Sequence, residues 1–167
     1  MSADITEETE VQNMPDWRVL GLYHVNINVR NLGASQRFYE ALGFEVVDSF
    51  SDADDGSIAY GLGLGEGMRS NTRALFMKVG TAPHATVLDL CEWIEPRAHG
   101  EAADIRQFGI PRICLRAKNL DALVEDLSSQ GVEFITDRPQ VITTLARSPR
   151  FICCKDPDGV IVEFVEL

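Results

Sequence analysis

The sequence predicts an α+β fold built from two copies of one unit, each a strand, a helix and then three strands. The first observation behind this prediction is an internal repeat: residues 24–47 and residues 112–135 align without a gap at an offset of 88 positions. The second is that the same helix-start and helix-stop residues recur in both copies. The third is that two further strand-like runs follow each copy. Together these observations indicate a duplicated unit.

Each copy opens with a strand in which apolar and polar residues alternate. In HVNINV, residues 24–29, the side chains of Val25, Ile27 and Val29 share one face, because successive residues of a strand point to opposite sides. That apolar face should pack under a helix, and the polar residues between should point away. The second copy repeats the pattern: Ile113, Leu115 and Ala117 take the helix side, and Arg112, Cys114 and Arg116 point away.

A helix of about three turns follows the opening strand in each copy. Asn31 and Asn119 stand at its start, where an asparagine side chain accepts hydrogen bonds from free backbone N–H groups. Gly43 and Gly131 stand at its end, where the left-handed backbone conformation that glycine tolerates terminates a helix. In the second helix, apolar residues recur at the spacing of one core-facing stripe: Leu120, Leu123, Val124 and Leu127.

Three strands complete each unit. The strand directly after the helix is predicted in GFEVV and in GVEFI. The runs TRALFMKVG and ATVLDLCEW complete the first copy, and RFICCKD and GVIVEFVEL, joined by a Pro-Asp-Gly turn, complete the second. Residues 51–72 are rich in glycine and polar residues and carry no clear pattern. Residues 138–149 predict a loop or an extra edge segment, because their prolines cannot donate to a sheet ladder.

Glu163 is a carboxylate in an otherwise apolar strand near the C-terminus. Ile161, Glu163 and Val165 share one face of that strand. A charge on an apolar face is costly unless it is paired, protonated or bound to a cation. The opening strands likewise present polar residues opposite their helices, so the two sheets are expected to curl around a wet cavity rather than a dry core.

Composition and charge narrow the class of protein. The 167 residues suffice for one domain or for two halves that share a core, and the hydrophobic content of 45% is typical of a globular protein. A net charge of −11, from 26 acidic and 15 basic residues, argues against binding to nucleic acid. No apolar run approaches the roughly 20 residues that span a bilayer, so no membrane partner is expected.

The N-terminus and the cysteines predict a cytoplasmic protein. Residues 1–16 are expected to form an acidic, flexible arm ahead of a domain at 17–167, and they lack the basic and apolar parts of a secretory signal. The four cysteines show no CxxC spacing, and reduced thiols in the cytoplasm are the favoured interpretation.

Both ends of the duplicated region resemble one known family. YHVNINVRNLGASQRFYEALGFEVV, together with KDPDGVIVEFVEL and the internal repeat, resembles the vicinal oxygen chelate (VOC) superfamily. That superfamily includes glyoxalase I, methylmalonyl-CoA epimerase, extradiol dioxygenases and bleomycin-resistance proteins. The resemblance covers residues 19–167, with modules at about 19–95 and 108–167. It implies two βαβββ modules forming a U-shaped, eight-stranded mixed sheet around a ligand cavity, and it implies a homodimer.

The resemblance also implies a metal site at the first and last strands of each module. Its ligand positions fall on His24, Asp89, position 112 and Glu163, and Glu163 would then face the cavity. Members that bind metal usually have a histidine at the third position, whereas this chain has Arg112, whose guanidinium has no lone pair for a metal. Two alternatives stay open. Either His24, Glu163 and Asp89 hold one divalent ion of zinc, nickel, manganese or iron, or Arg112 supplies the positive charge in a site without metal.

The favoured functional hypothesis is a glyoxalase-like enzyme of the lyase or isomerase type, acting on a small carbonyl or enolisable substrate. In this hypothesis Glu163 moves a proton on the carbon next to the carbonyl, and Arg112 or a metal stabilises the negative charge. A ring-cleaving dioxygenase is less favoured, because it needs two histidines and one carboxylate and the second histidine is missing. The alternative from another class is a binding protein of the bleomycin-resistance type, which holds a drug or another small molecule without catalysis.

Overall fold

The computed structural model describes residues 19–53, 56–82, 85–143 and 148–167. The predicted acidic arm at residues 1–16 lies outside the described residues. The first half contains β1 (His24–Asn28), α1 (Leu32–Ala41), β2 (Glu45–Ala53), α2 (Ser57–Gly61), β3 (Asn71–Lys78) and β4 (Val87–Glu95). The second half contains β5 (Arg112–Arg116), α3 (Leu120–Ser129), β6 (Gln140–Val141), β7 (Arg150–Lys155) and β8 (Ile161–Glu166).

Two four-stranded mixed sheets make up the fold. The first sheet has the strand order β1-β4-β3-β2, and the second has the order β5-β8-β7-β6. In each sheet the opening strand pairs in parallel with the last strand of its module, and the other pairs are antiparallel. This order confirms the predicted α+β architecture of two βαβββ modules. Because the opening and last strands are neighbours, their polar faces lie side by side.

Helices α1 and α3 begin and end as the repeat predicts. Asn31 caps α1 by accepting a hydrogen bond from the backbone N–H three residues later, and Asn119 caps α3 in the same way. Gly43 and Gly131 follow the helix ends with φ angles of 87° and 88°, a backbone conformation that strains other residues. In the described part of the chain, no helix is both long and apolar enough to cross a membrane.

The second module departs from the prediction after α3. The sequence predicts a strand in GVEFI, but the structure has an isolated bridge there, between Phe134 and Cys154. The chain then bends, and pairing with β7 resumes at the two-residue strand β6. Pro139, immediately before β6, has no N–H to donate, which agrees with the weak edge pairing predicted for residues 138–149. In the first module, residues 51–72 contain the end of β2, the short helix α2 and the start of β3.

One hydrophobic core joins the two modules. Helix α1 packs on β3 and β4, and α3 packs on β7 and β8. The predicted apolar stripe of α3 is confirmed, because all four of its residues are buried or pack against the core. The buried core residues come from both sheets and both helices: Ile27, Val29, Tyr39, Phe44, Met77, Leu88, Leu90, Leu120, Leu127, Ile152, Cys154, Val162 and Phe164.

The turn between β7 and β8 fastens the second module to the first. Asp156 is buried, and its Oδ1 accepts the backbone N–H groups of Asp158 at 2.9 Å and of Val160 at 2.8 Å. Its Oδ2 accepts the hydroxyl of Tyr39, which lies on α1, at 3.1 Å. Asp158 accepts the backbone N–H of Arg30 at 3.0 Å and forms an ion pair with its guanidinium. The turn therefore contacts the first module through both of its carboxylates.

The stability of the protein should depend on pH through Asp156. Burial raises the pKa of Asp156 above its ordinary value, and this effect outweighs the hydrogen bonds that favour the ionised form. Because the pKa is raised in the folded state, the contribution of Asp156 to stability is full at acid pH and is lost as the pH rises through that pKa. In Asp156→Asn this loss is absent, since an amide does not titrate.

We therefore expect the stability of Asp156→Asn, relative to the unchanged protein, to rise as the pH increases above the ordinary aspartate pKa of about 3.9, and to level off above the raised pKa of the folded state. Urea unfolding at a series of pH values measures this difference in the free energy of unfolding. Asp137→Asn, at an exposed carboxylate of the second module, is the control and should show no such trend. A difference that stays constant or falls as the pH rises would contradict the prediction.

Candidate functional site

A cavity of about 950 Å³ opens on the face of the second sheet that points away from α3. The rest of its lining comes from the connection between the modules (residues 102–105 and 107), from residues 135, 136 and 140–143, and from Gly159. Its volume is in the range of small-molecule binding sites. The sheet itself contributes six side chains from β5, β7 and β8: Arg112, Phe151, Cys153, Lys155, Ile161 and Glu163.

Glu163 lies near the middle of this sheet and lines the cavity. Strand pairing sets Cys114 of β5 and Cys153 of β7 directly beside it. The guanidinium Nε of Arg112 forms an ion pair with its Oε2, and its Oε1 accepts a weak hydrogen bond from the thiol of Cys114 at 3.5 Å. The side chain of Glu163 is 12% exposed, whereas that of Arg112 is 46% exposed. Glu163 is thus an inward carboxylate whose partner is a half-exposed cation.

The two thiols beside Glu163 stay protonated near neutral pH. Desolvation and the neighbouring carboxylate raise the pKa of Cys114 to about 11. The same two causes raise the pKa of Cys153. A cysteine acts as a nucleophile or a metal ligand in its thiolate form, so these protonated cysteines are unreactive neighbours of Glu163.

His24 and Asp89 lie on the first sheet, on the face that points away from α1. His24 is exposed, and its ring lies near those of Tyr23 and Phe76. The side-chain amide of Asn26 donates to Oδ2 of Asp89 at 3.1 Å. Oδ1 of Asp89 is buried, and no described residue gives it a hydrogen bond. Neither His24 nor Asp89 contributes to the cavity that Glu163 lines.

The implied metal ligands are not gathered as a shared ion would require. Across residues 19–53, 56–82, 85–143 and 148–167, no group of three histidine, cysteine, aspartate or glutamate side chains is placed to hold a metal. His24 and Asp89 lie on one sheet, whereas Glu163 lies on the other and is paired with Arg112. A guanidinium cannot ligate an ion, and its positive charge would repel one. Within the described residues, the donor set therefore does not fit a resident divalent ion.

Strand register reveals two cavity residues that the repeat does not: Cys153 and Lys155. The Pro-Asp-Gly turn sets the register of the β7–β8 hairpin, which pairs Lys155 with Ile161 and Cys153 with Glu163. Side chains of directly paired residues share one face, so the partners of a cavity residue face the cavity too. The connection at 102–107 carries no comparable signal, because its position depends on how the modules pack.

Comparison with known proteins supports this architecture. The family model of the glyoxalase/bleomycin resistance protein/dioxygenase superfamily matches residues 21–164. A glyoxalase family protein from Bacillus cereus is similar in structure, with a TM-score of 0.76 and 18% sequence identity over 92% of this chain and 97% of that chain. Among curated proteins, none matches this chain in sequence.

Two further solved structures share the fold. The fosfomycin resistance protein FosX from Listeria monocytogenes, complexed with Mn(II) and sulfate, has a TM-score of 0.57 and 16% identity over 90% of this chain and 94% of that chain. The trypanothione-dependent glyoxalase I from Leishmania major has a TM-score of 0.60 and 19% identity over 87% of this chain and 86% of that chain. At these identities the likeness establishes the fold alone.

Proposed function

Because the chain belongs to the glyoxalase/bleomycin resistance protein/dioxygenase superfamily, we propose that it is a small-molecule enzyme of the lyase or isomerase type. The proposed substrate has an enolisable carbon next to a carbonyl group and binds in the cavity of the second sheet. The observation that carries this proposal is the ion pair of Glu163 and Arg112 on the cavity lining. A carboxylate beside a guanidinium can move a proton and stabilise the oxyanion that results.

Glu163 is the proposed acid and base. Among the described residues, its Oε1 has the weak thiol donor of Cys114 as its partner, so this oxygen is available to approach a substrate C–H group. The carboxylate takes the proton from the carbon next to the carbonyl and returns it to that carbon or to its neighbour. Because the Glu163 side chain is largely buried, little water competes for the proton.

Arg112 is the proposed electrostatic partner of this reaction. Its Nε holds Glu163, and no described residue accepts a hydrogen bond from its terminal N–H groups. These groups can donate to the carbonyl oxygen of the substrate and stabilise the negative charge that grows there when the proton leaves. The guanidinium would thus supply the charge that a divalent ion supplies in metal-dependent enzymes.

A binding protein without catalysis is the second candidate, and one observation favours it. Arg112 and Glu163 already neutralise each other, and much of the cavity lining is apolar, with Ile135, Val141 and Phe151 among its residues. Such a lining can hold an apolar ligand without any proton transfer. The two candidates differ in whether a bound carbonyl compound exchanges its α-protons with solvent.

The purified protein is expected to catalyse α-proton exchange in a panel of enolisable ketones and oxo acids, and to retain this activity after dialysis against EDTA. Arg112→Met should lower the exchange rate by about 100-fold, because the growing oxyanion loses its charged donor. Proton NMR in deuterium oxide measures the rate. Arg116→Met, which removes an exposed arginine from the same strand and face but outside the cavity lining, should leave the rate unchanged.

Metal analysis and melting temperatures before and after EDTA dialysis complete this experiment. Loss of activity on dialysis, with recovery on adding a divalent ion, would overturn the metal-free site. Ligand binding without exchange would instead favour the binding protein. The homodimer and the cytoplasmic location remain predictions of the sequence.

A further inference from the structure

A lysine that forms no ion pair with any described residue stands at the cavity of this strongly acidic protein. The net charge of the chain is −11, and acidic residues outnumber basic ones by 26 to 15. Lys155 is exposed at the rim and also lines a neighbouring cleft between α1 and residues 130–135. It forms no ion pair with any described residue. The acidic rim residue Asp104 is paired with Arg106, and hydrogen bonds from Arg106, together with the charge of Lys155, lower the pKa of its carboxyl.

Lys155 and Arg112 stand on either side of Ile161. Lys155 of β7 pairs with Ile161 of β8, which in turn pairs with Arg112 of β5. The three side chains therefore form one row across the cavity face, and two strand spacings separate the Cα atoms of the two cations by about 10 Å. The Lys155 side chain is long enough to reach over Ile161, which offers no hydrogen-bonding group of its own. Arg112 keeps its Nε on Glu163, and its terminal N–H groups are left for a ligand.

Glu163 lies in the next row of the same face, two residues along β8 from Ile161. The Cα atoms of these two residues are about 7 Å apart, as in any extended strand. An anionic group held over Ile161 therefore leaves the rest of its molecule beside the carboxylate of Glu163. In an oxo acid the enolisable carbon lies only two bonds beyond the carboxylate carbon. The Glu163 carboxylate covers the rest of this separation, because its ion pair with Arg112 draws it toward the row of Ile161.

We propose that the cavity binds small carboxylic acids with an apolar body, and that Lys155 receives their carboxylate together with one terminal N–H group of Arg112, whose other terminal nitrogen donates to the carbonyl oxygen. The proposal rests on the proposed function for the role of Glu163, and it narrows the substrate class to oxo acids. The apolar body lies against the side chains of Ile135 and Phe151. Lys155 is then a specificity-determining residue, because it lines the cavity without an ion pair to any described carboxylate, whereas Arg112 is paired with Glu163.

Phenylpyruvate and its methyl ester are matched probes, because they differ mainly in one negative charge. Isothermal titration of the full chain should show at least about 10-fold tighter binding of the acid, the effect of one charge-assisted hydrogen bond. Lys155→Met should weaken acid binding by about 10-fold and leave ester binding unchanged, and Lys155→Arg should keep the preference. Lys118→Met, at an exposed lysine outside this cavity, should change neither affinity.

Three outcomes would overturn the carboxylate proposal. They are equal affinity for the two probes, no binding of either probe, and an equal loss of affinity for both probes in Lys155→Met. Proton exchange separates its failure from that of the proposed function. If the protein binds the acid selectively but shows no proton exchange that depends on Glu163, the proposed function alone is overturned. Exchange in neutral ketones that depends on Glu163, with no preference for acids, would overturn the carboxylate proposal alone.

Discussion

Glu163→Gln is expected to slow α-proton exchange by at least about 100-fold while leaving the fold intact. An amide has nearly the shape of the carboxylate and can still accept a hydrogen bond from Arg112, but it cannot take a proton near neutral pH. Loss of the ion pair should cost about 1 kcal/mol or less in stability, because Arg112 is half exposed and solvent screens the pair. The rate is measured by NMR in deuterium oxide, and stability by urea unfolding.

Phenylpyruvate binding distinguishes a lost base from a damaged cavity. Removing the negative charge frees Arg112, so Glu163→Gln should bind phenylpyruvate at least as tightly as the unchanged protein. Glu125→Gln, on the exposed face of α3, makes the same chemical change away from the cavity and should alter neither rate nor affinity. Full exchange activity in Glu163→Gln would show that another group moves the proton.

Asp156→Ala is expected to lower the free energy of unfolding by about 3 kcal/mol or more. Three donors lose their acceptor together: the backbone N–H groups of Asp158 and Val160 and the hydroxyl of Tyr39. Each buried donor left without an acceptor costs about 1–3 kcal/mol, and Tyr39 is fully buried. For a chain of this size the loss corresponds to a fall of about 6–12 °C in melting temperature.

Tyr39→Phe separates the contact between the modules from the internal bonds of the turn. Burial and the neighbouring Asp156 raise the pKa of Tyr39, so its hydroxyl remains a donor. Removing that hydroxyl should cost about 1–2 kcal/mol, less than Asp156→Ala, because both backbone bonds of the turn survive. Asp137→Ala is the surface control. Equal stability of Asp156→Ala and Asp137→Ala would show that the turn does not fasten the modules.

Local signals explain why much of the fold follows from the sequence. Asn31 and Asn119 each accept a hydrogen bond from an N–H three residues away, and Gly43 follows the last turn of its own helix. The start and the end of these helices therefore do not depend on distant residues. Alternation within β8 likewise places Glu163 on the same face as Ile161. The strand predicted after α3 failed for the opposite reason, because its pairing depends on β7 and on Pro139 rather than on its own β-forming residues.

By itself, the sequence determined the duplicated βαβββ architecture, the helix ends and the face on which each strand residue lies. Only the tertiary structure decided that Glu163 pairs with Arg112, that His24 and Asp89 lie outside the cavity that Glu163 lines, and that residues 102–105 and 107 complete this cavity. The physical reason is that a two-residue period assigns a side chain to a face but does not measure the distance between two sheets. That distance depends on how the modules pack around their shared core, and the packing involves residues far apart in the chain.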